Sequence, residues 1–582
     1  MLKIIRKIQI LLDRKQKRTM AGLVVMMIIG AALETASLGA LIPVIQTIMK
    51  ENAVAESRML SAAYEKLHFT SQRQFTIFIM LTVIVLFIVK NLYLYLQQKC
   101  TLRFVYGNQF DTSEKVMKSY LRKNYEFYLN ADTAVVQRNI TSDVNNMYGL
   151  ILALLTLVSE GIVFVCLAGV CFFADPVLTV LIAGVFCLLL AVIEKVLKPV
   201  MKKAGEDNQN FYSGLFKWIS QTVQGIKEVK IAGREKYFVD EYVKCGHGYV
   251  GAVQKYSLFN NIPRLLIEVV CIASLLGYII FMITVQGKSP QDMGDSLTAL
   301  AAVALRLLPC VNRINNQLNS IAYFEPFLMG VSDTLQEDIN QEKTDMSFAE
   351  KAAVKLPVKK EIRMENITYA YPGTDRLIFD HADIEIPVGR AVGIVGTSGG
   401  GKTTMVDIML GLLQVKEGRI CADGVDIRDN YRGWLKNIGY IPQTIFMLDD
   451  TIRSNVAFGV PREQIDEERI WEVLREAQLD EFIRSLPQGL DTGIGERGIR
   501  LSGGQRQRIG IARALYEDPE VLILDEATSA LDNDTEAAIM DSINRLHGKK
   551  TLIIIAHRLQ TIRQCDMIYR VENGKAVLQG GD

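Results

Sequence analysis

Apolar residues run unbroken long enough to cross a bilayer at about 21–49, 74–97, 149–174, 177–195, 259–285 and 294–323, and a spanning helix needs roughly 20 of them. Glu34 interrupts the first run, the fourth is short, and the sixth carries Arg306, Pro309 and Arg313. The N-terminus and the stretches 98–146 and 196–258 are rich in Lys and Arg, whereas the 174–176 turn has none. Positive-inside bias therefore predicts a multi-pass protein with both termini in the cytoplasm. Inside the basic stretches apolar residues recur at three-to-four spacing, as at Phe216, Ile219, Val223, Ile226 and Val229, which predicts membrane helices prolonged into the cytoplasm. Between the first two spans, Met59, Leu60, Ala63, Tyr64 and Leu67 fall on one face of a short external helix near 57–69, packed on its neighbours or touching lipid.

From about 325 to 360 the pattern turns polar and charged, and from 361 strand-like apolar runs alternate with helical periodicity. The expected organisation is a helical membrane domain over 1–324 with long cytoplasmic extensions, a linker over 325–360 and an α/β domain over 361–582. The length of 582 residues agrees with two or three domains. Lys and Arg number 65 against 64 Asp and Glu, so the totals carry no nucleic-acid footprint. The nine cysteines form no CxxC pair and several sit in apolar runs, which reads as reduced and structural. MLKIIRKIQILLDRKQKR at the start is basic and amphipathic, and no small-residue cleavage site follows it, so the segment is expected to be retained.

The chemistry lies in the α/β part. GTSGGGKTT at 396–404 follows the apolar run AVGIV, with the spacing Gly396-x4-Gly401-Lys402-Thr403 of a phosphate-binding loop. Across Gly396, Thr397, Ser398, Gly399, Gly400 and Gly401 the backbone N–H groups can curl around phosphate oxygens. Lys402 would reach the β and γ phosphates and Thr403 would offer a hydroxyl to Mg²⁺, while Thr404 lies in a helix whose positive end faces the anion. VLILDE at 521–526 reads as a strand buried on both faces and closed by two carboxylates. Asp525 would hold the metal shell and Glu526 would orient or deprotonate an attacking water. LSGGQRQRIGIARAL at 501–515 places Ser502, Gly503, Gly504 and Gln505 at the start of an amphipathic helix, a second anion site. One phosphate tail cannot easily use two such helices of one domain.

With IPQ at 441–443, SALD at 529–532 and IAHR at 555–558, these motifs occur in the order and spacing of the ATP-binding cassette family, which the chain resembles over essentially its whole length. The resemblance implies a six-span α-helical transmembrane domain of exporter type fused to an α/β P-loop nucleotide-binding domain. By similarity, Tyr371 in YAYPG stacks on adenine, Gln443 senses the γ-phosphate and its metal and contacts the membrane domain, and His557 bonds the γ-phosphate from a switch loop. It further implies a half-transporter in the bacterial plasma membrane, with ATP and Mg²⁺ as cofactors and a second copy as partner. Ser502 and its glycines would then cap nucleotide held by the partner's Lys402. A receptor-like subunit without transport is disfavoured by the intact Glu526 and His557.

Cargo must be read from the membrane part. Lys90, Arg264, Arg306 and Arg313 lie within or at the edges of spans, where a cation costs roughly 2.5–3.5 kcal/mol at mid-bilayer. They are expected to snorkel, to pair with Glu34 and Glu268, or to form a cationic band for an anionic headgroup. ALETASLGALIPVIQTIM, NIPRLLIE and ALRLLPCVNRI resemble the bacterial flippases of lipid-linked oligosaccharides used in protein glycosylation (PglK-like), although Lys90 stands where that pattern has an arginine. The implied cargo is a polyprenyl-diphosphate oligosaccharide or a similar anionic glycolipid, and the alternative is a multidrug or lipid exporter.

Overall fold

The computed structural model describes residues 2–40, 44, 47, 61, 64–66, 69, 71–174, 176–284, 294–341, 354–526, 533–556 and 562–579. The chain divides into two compact units, one of Met1–Lys123 with Ala131–Thr344 and the other of Asn124–Asn130 with Asp345–Asp582.

The first unit is helical. Its described helices are α1 (Leu2–Leu11), α2 (Arg14–Gly39) and α3 (Gln72–Arg122). After the short α4 (Tyr125–Asn130), which belongs to the second unit, come α5 (Thr133–Arg138), α6 (Val144–Ala174) and α7 (Pro176–Gln224). The series ends with α8 (Ile226–Ala232), α9 (Glu235–Thr284) and α10 (Gly294–Gln341). A π-helical turn, Asn139–Asp143, joins α5 to α6. Among the described residues four helical stretches are long and apolar enough to span a membrane: Arg14–Ser37, Arg73–Arg122, Thr133–Gly169 and Glu235–Phe281. The other two expected spans lie on α7 and α10, whose apolar halves carry many side chains outside the described residues. The 51 residues of α3 would reach about 75 Å at 1.5 Å per residue, far more than a bilayer core. Its apolar first half and its charged second half form one rod. Helix α10 continues through Pro309 and Pro326 to Gln341, so the polar stretch after 325 begins as helix. The proposed external helix near 57–69 falls mostly outside the described residues.

The core of this unit forms where α6 turns Met147, Tyr148, Leu150 and Ile151 against Phe104, Val105 and Val116 of α3 and against Ile321, Leu328 and Val331 of α10. Ile4 and Ile8 of α1 bury into the same cluster, as the three-to-four periodicity of an amphipathic helix requires. The Tyr148 phenol does not go unsatisfied in this core, because it shares a hydrogen bond with Thr112 Oγ1 at 2.8 Å.

The second unit carries β1 (Glu361–Tyr369), β2 (Phe379–Pro387), β3 (Ala391–Gly396), α11 (Lys402–Met409), β4 (Glu417–Ala422), β5 (Val425–Asp426), α12 (Tyr431–Leu435) and β6 (Ile438–Ile441). It continues with α13 (Ile452–Val456), α14 (Glu467–Glu476), α15 (Asp480–Ser485), α16 (Gly503–Tyr516), β7 (Val521–Asp525), α17 (Asn533–Asn544), β8 (Thr551–Ile555), β9 (Met567–Glu572) and β10 (Lys575–Gln579). Two sheets form, an antiparallel one in the order β2-β1-β4-β5 and a larger one in the order β10-β9-β3-β8-β7-β6. In the larger sheet β9, β3, β8, β7 and β6 are parallel and only the edge strand β10 is antiparallel. Along β7, Val521 and Ile523 enter the core shared with the antiparallel sheet, while Leu522 and Leu524 enter the core beneath α14 and α16. A strand with both faces covered must be apolar at every position, which is the reason for the run VLIL. The carboxyl ends of these parallel strands bring the phosphate loop and Asp525 together.

Candidate functional site

Strand β3 ends at Gly396, and a Cβ there would stand 2.5 Å from the Val571 carbonyl oxygen. The loop reverses at Gly399 (φ 76°) and Gly401 (φ 100°), left-handed conformations that favour glycine. At Gly401 a side chain would also meet Ile378 and Phe379. Gly401 caps α11, whose first residue, Lys402, is buried. Its ammonium donates to the carbonyls of Gly396 and Thr397, both at 3.1 Å, so the lysine is held across the mouth of its own loop. Thr397, Ser398 and Thr403 are exposed. Buried Thr404 shares a 2.9 Å hydrogen bond with the Tyr371 hydroxyl, and the Tyr371 ring packs edge-on against Tyr369.

The two carboxylates at the end of β7 have different surroundings. Asp525 is buried, and its Oδ1 has no hydrogen-bond partner among the described residues. Burial pushes its carboxyl above the usual range, the negative charge of Glu526 adds to this, and Tyr440, Thr403 and Lys402 oppose it. The Tyr440 phenol donates to Asp525 Oδ2 at 3.4 Å. Glu526 sits in the left-handed region at φ 49°, an uncommon conformation for a residue with a Cβ. Its N–H donates to the Ile555 carbonyl at 3.1 Å, which ties the turn to β8. Gln443 Nε2 donates to Glu526 Oε2 at 2.9 Å, so two residues far apart in sequence meet here. Asp407, one helical turn into α11, has its carboxyl pushed up to about 6 by burial and by the charge of Asp525. His557 lies outside the described residues, as does the SALD segment.

Helix α16 begins with a reciprocal cap. Gln505 N–H donates to Ser502 Oγ at 3.2 Å, and Ser502 N–H donates to Gln505 Oε1 at 2.8 Å. The motif thus fixes the helix start and presents the glycines Gly503 and Gly504 in its first turn, where N–H groups have no partner within the helix. Arg513 lies near the other end of α16. It donates to the Phe446 carbonyl at 2.7 Å, to the Asn455 carbonyl at 2.8 Å and to Asn455 Oδ1 at 3.0 Å, and its guanidinium lies 4.6 Å from the Phe458 ring centroid. Burial pushes it down to about 10. The segment that follows Gln443 is therefore pinned to the helix that Ser502 starts.

Helix α4 carries a further contact that sequence reasoning missed. Glu126 Oε1 accepts from the Gln414 N–H at 3.1 Å and from the Tyr369 phenol at 3.5 Å. Tyr125 beside it feels the charge of Asp407. No local signal marks Glu126, because its partners are far along the chain. Arg513 had one: a cation within IGIARAL, the apolar second half of its helix.

Residues 379–529 match the family model described as ABC transporter, and residues 14–306 match that of the ABC transporter transmembrane region. The chain belongs to the ATP-binding cassette transporters. An ATP-dependent lipid A-core flippase of Syntrophus aciditrophicus is 31% identical over 480 residues, covering 81% of this chain and 77% of that one. One of Escherichia coli K12 is 32% identical over 438 residues, covering 74% and 72%. A bacterial Atm1-family ABC exporter with ATP bound superposes with a TM-score of 0.78 at 22% identity, over 98% of this chain and 96% of that one, which supports the exporter fold. This ABC transporter accordingly couples ATP hydrolysis to transport across a membrane.

Its membrane cations do not share one environment. Lys90 is 4% exposed, with its ammonium 4.5 Å from the Phe87 ring centroid. Arg264 is exposed, and Arg306 lies on α10 with its side chain outside the described residues. Arg313 Nε donates to Glu160 Oε1 at 2.7 Å. Glu160 reaches Arg313 because α10 packs on α6, and one turn earlier Cys310 already reaches the Glu160 carbonyl at 3.3 Å.

Proposed function

We propose that two copies of this transporter pair in the bacterial inner membrane, termini inside, and hydrolyse ATP to flip an anionic glycolipid outward. The class we favour is a polyprenyl-diphosphate-linked oligosaccharide. The observation that carries the cargo reading is Lys90, a buried cation inside an apolar span, since ionisable groups at membrane depth mark substrate paths by default. Arg264, Arg306 and Arg313 are the further candidates for headgroup contact.

In the cassette, Lys402 exchanges the Gly396 and Thr397 carbonyls for phosphate oxygens, and the N–H groups of 396–404 surround the phosphate tail. Tyr371 takes the adenine. The buried, unpartnered Oδ1 of Asp525 beside Thr403 fits a divalent cation. Asp525, Thr403 and Gln443 would hold Mg²⁺, which when bound neutralises charge on the β and γ phosphates. Glu526, oriented by Gln443, positions and deprotonates the attacking water, and His557 contacts the γ-phosphate. The Ser502–Gln505 cap closes over the nucleotide of the opposite copy. Movement passes to the membrane helices through the segments near 128–140 and 224–234, which fold as short helices.

The names of the relatives favour a second reading, a lipid A-core type of cargo. Purified protein in proteoliposomes, given each lipid class in turn, separates the two. Arg306→Ala with Arg313→Ala is expected to lower flipping of a lipid diphosphate more than basal ATPase. Equal loss of both would remove the headgroup reading.

A further inference from the structure

Asn312, Asn315, Asn316 and Asn319 recur on α10 at three- and four-residue spacing, one face of the helix. Asn315 and Asn319 are 0% and 2% exposed. Among the described residues, neither amide atom of Asn315 has a hydrogen-bond partner, and the same holds for Asn319 Nδ2 and for Oδ1 of Asn312 and Asn316. On α9, Asn260 Oδ1 is likewise unpartnered. The Tyr256 hydroxyl meets Ser320 Oγ at 3.0 Å, and its ring stacks on Tyr323 at 4.0 Å. Asn260 lies one helical turn beyond Tyr256 on α9, and Asn316 one turn before Ser320 on α10.

A buried amide left without a partner loses its hydration and receives nothing in exchange, and such groups in a native fold need an explanation. Their chemistry narrows the choice. A bare anion requires donors and a metal ion requires acceptors, but this cluster leaves donors and acceptors unmatched together. Hydroxyl groups offer both roles on one atom. The guanidinium within the row, Arg313, turns its Nε to Glu160 and bonds to none of these unpartnered amide atoms, which leaves the amides themselves to be matched by a neutral group.

We propose that the amide row of α10, with Asn260 of α9, is the subsite for the sugar hydroxyls of the cargo. Asn312 and Asn316 are half-exposed and form the rim, while Asn315 and Asn319 form the floor. The sugar reaches the floor when α9 and α10 separate, as alternating access requires. The inference rests on the glycolipid reading above and adds which part of the lipid these helices read.

The test uses the full chain in lipid nanodiscs and two probes, a neutral glycosyl-diacylglycerol and phosphatidic acid, each titrated against ATPase stimulation. In Asn315→Leu with Asn319→Leu, the half-saturating mole fraction of the glycosyl lipid is expected to rise at least about tenfold, the scale of two lost neutral hydrogen bonds. The response to phosphatidic acid is expected to stay as in the wild type. An unchanged glycosyl response, with or without a raised thermal midpoint, means that the amides only hold water and overturns the subsite; so does a wild type indifferent to the glycosyl lipid. A wild type that answers the glycosyl lipid but not phosphatidic acid leaves the subsite standing and removes the anionic headgroup instead. Should the double variant not fold, Asn316→Leu at the rim is judged by the same criterion, with a shift of at least about threefold.

Discussion

Asp407 shows what a single side chain contributes and how it escapes notice. In the sequence it is one polar letter in KTTMVDIM; in the fold it faces Asp525 from a partly buried site. Folded Asp407 keeps its proton up to about pH 6, whereas an unfolded aspartate releases it near 3.8. The folded state thus binds more protons between those values, and stability from this group rises as pH falls through that window. Asp407→Asn is expected to raise the nucleotide-free thermal midpoint at neutral pH by a few degrees, with the gain shrinking toward pH 4; a gain independent of pH would contradict the assignment. Glu526 gives the companion prediction. Glu526→Gln retains a partner for Gln443 and removes the base, so ATP should remain bound while turnover drops at least about a hundredfold. Steady-state hydrolysis beside nucleotide-retention measurements checks both halves. The phosphate loop was legible because its chemistry dictates glycine, lysine and threonine at fixed places. Asp407 and Tyr440 were not, because their role arises only from what the fold places opposite them.

Elements were more legible than their ends. The doubly buried β7 could be read from VLIL, and the prolongation of the spans into helices of about fifty residues from apolar spacing in basic stretches. The continuation of α10 past residue 325 could not, because a change to polar composition records exposure and does not stop a helix. Helix α16 shows the limit differently. Its start has the sequence of an anion site, and the structure adds the reciprocal Ser502–Gln505 cap that makes this start rigid. Its far end holds Arg513 against Phe446 and Asn455, so the helix and the segment after Gln443 form one mechanical piece. Arg513→Met would leave those acceptors unpaired, at a cost of roughly 1–3 kcal/mol each if they stay dry. Amide hydrogen exchange should accelerate across 444–458 while β7 and β8 stay protected, and uniform protection would show that the guanidinium holds nothing.

At the scale of the whole molecule, the single cassette carries one phosphate loop and one serine-glycine helix start, the parts of two half-sites. If turnover needs both shared sites, mixing equal amounts of wild type and Ser502→Arg before reconstitution should leave about a quarter of the wild-type rate, as random pairing predicts. Half the rate would mean that copies work independently. Both motifs are plain in the sequence, but nothing there hints that residues 124–130 belong with the cassette.

That short helix imposes an order on synthesis. Its residues leave the ribosome with the early membrane spans, yet Tyr369 and Gln414, which Glu126 holds, are translated only after the remaining helices. At roughly 5–20 residues per second, the segment waits many seconds for its mates. During that interval a carboxylate and its neighbouring aromatic rings are open to capture by chaperones or by the wrong surface, so substitutions there should reduce the yield of assembled protein before they touch any step of the transport cycle.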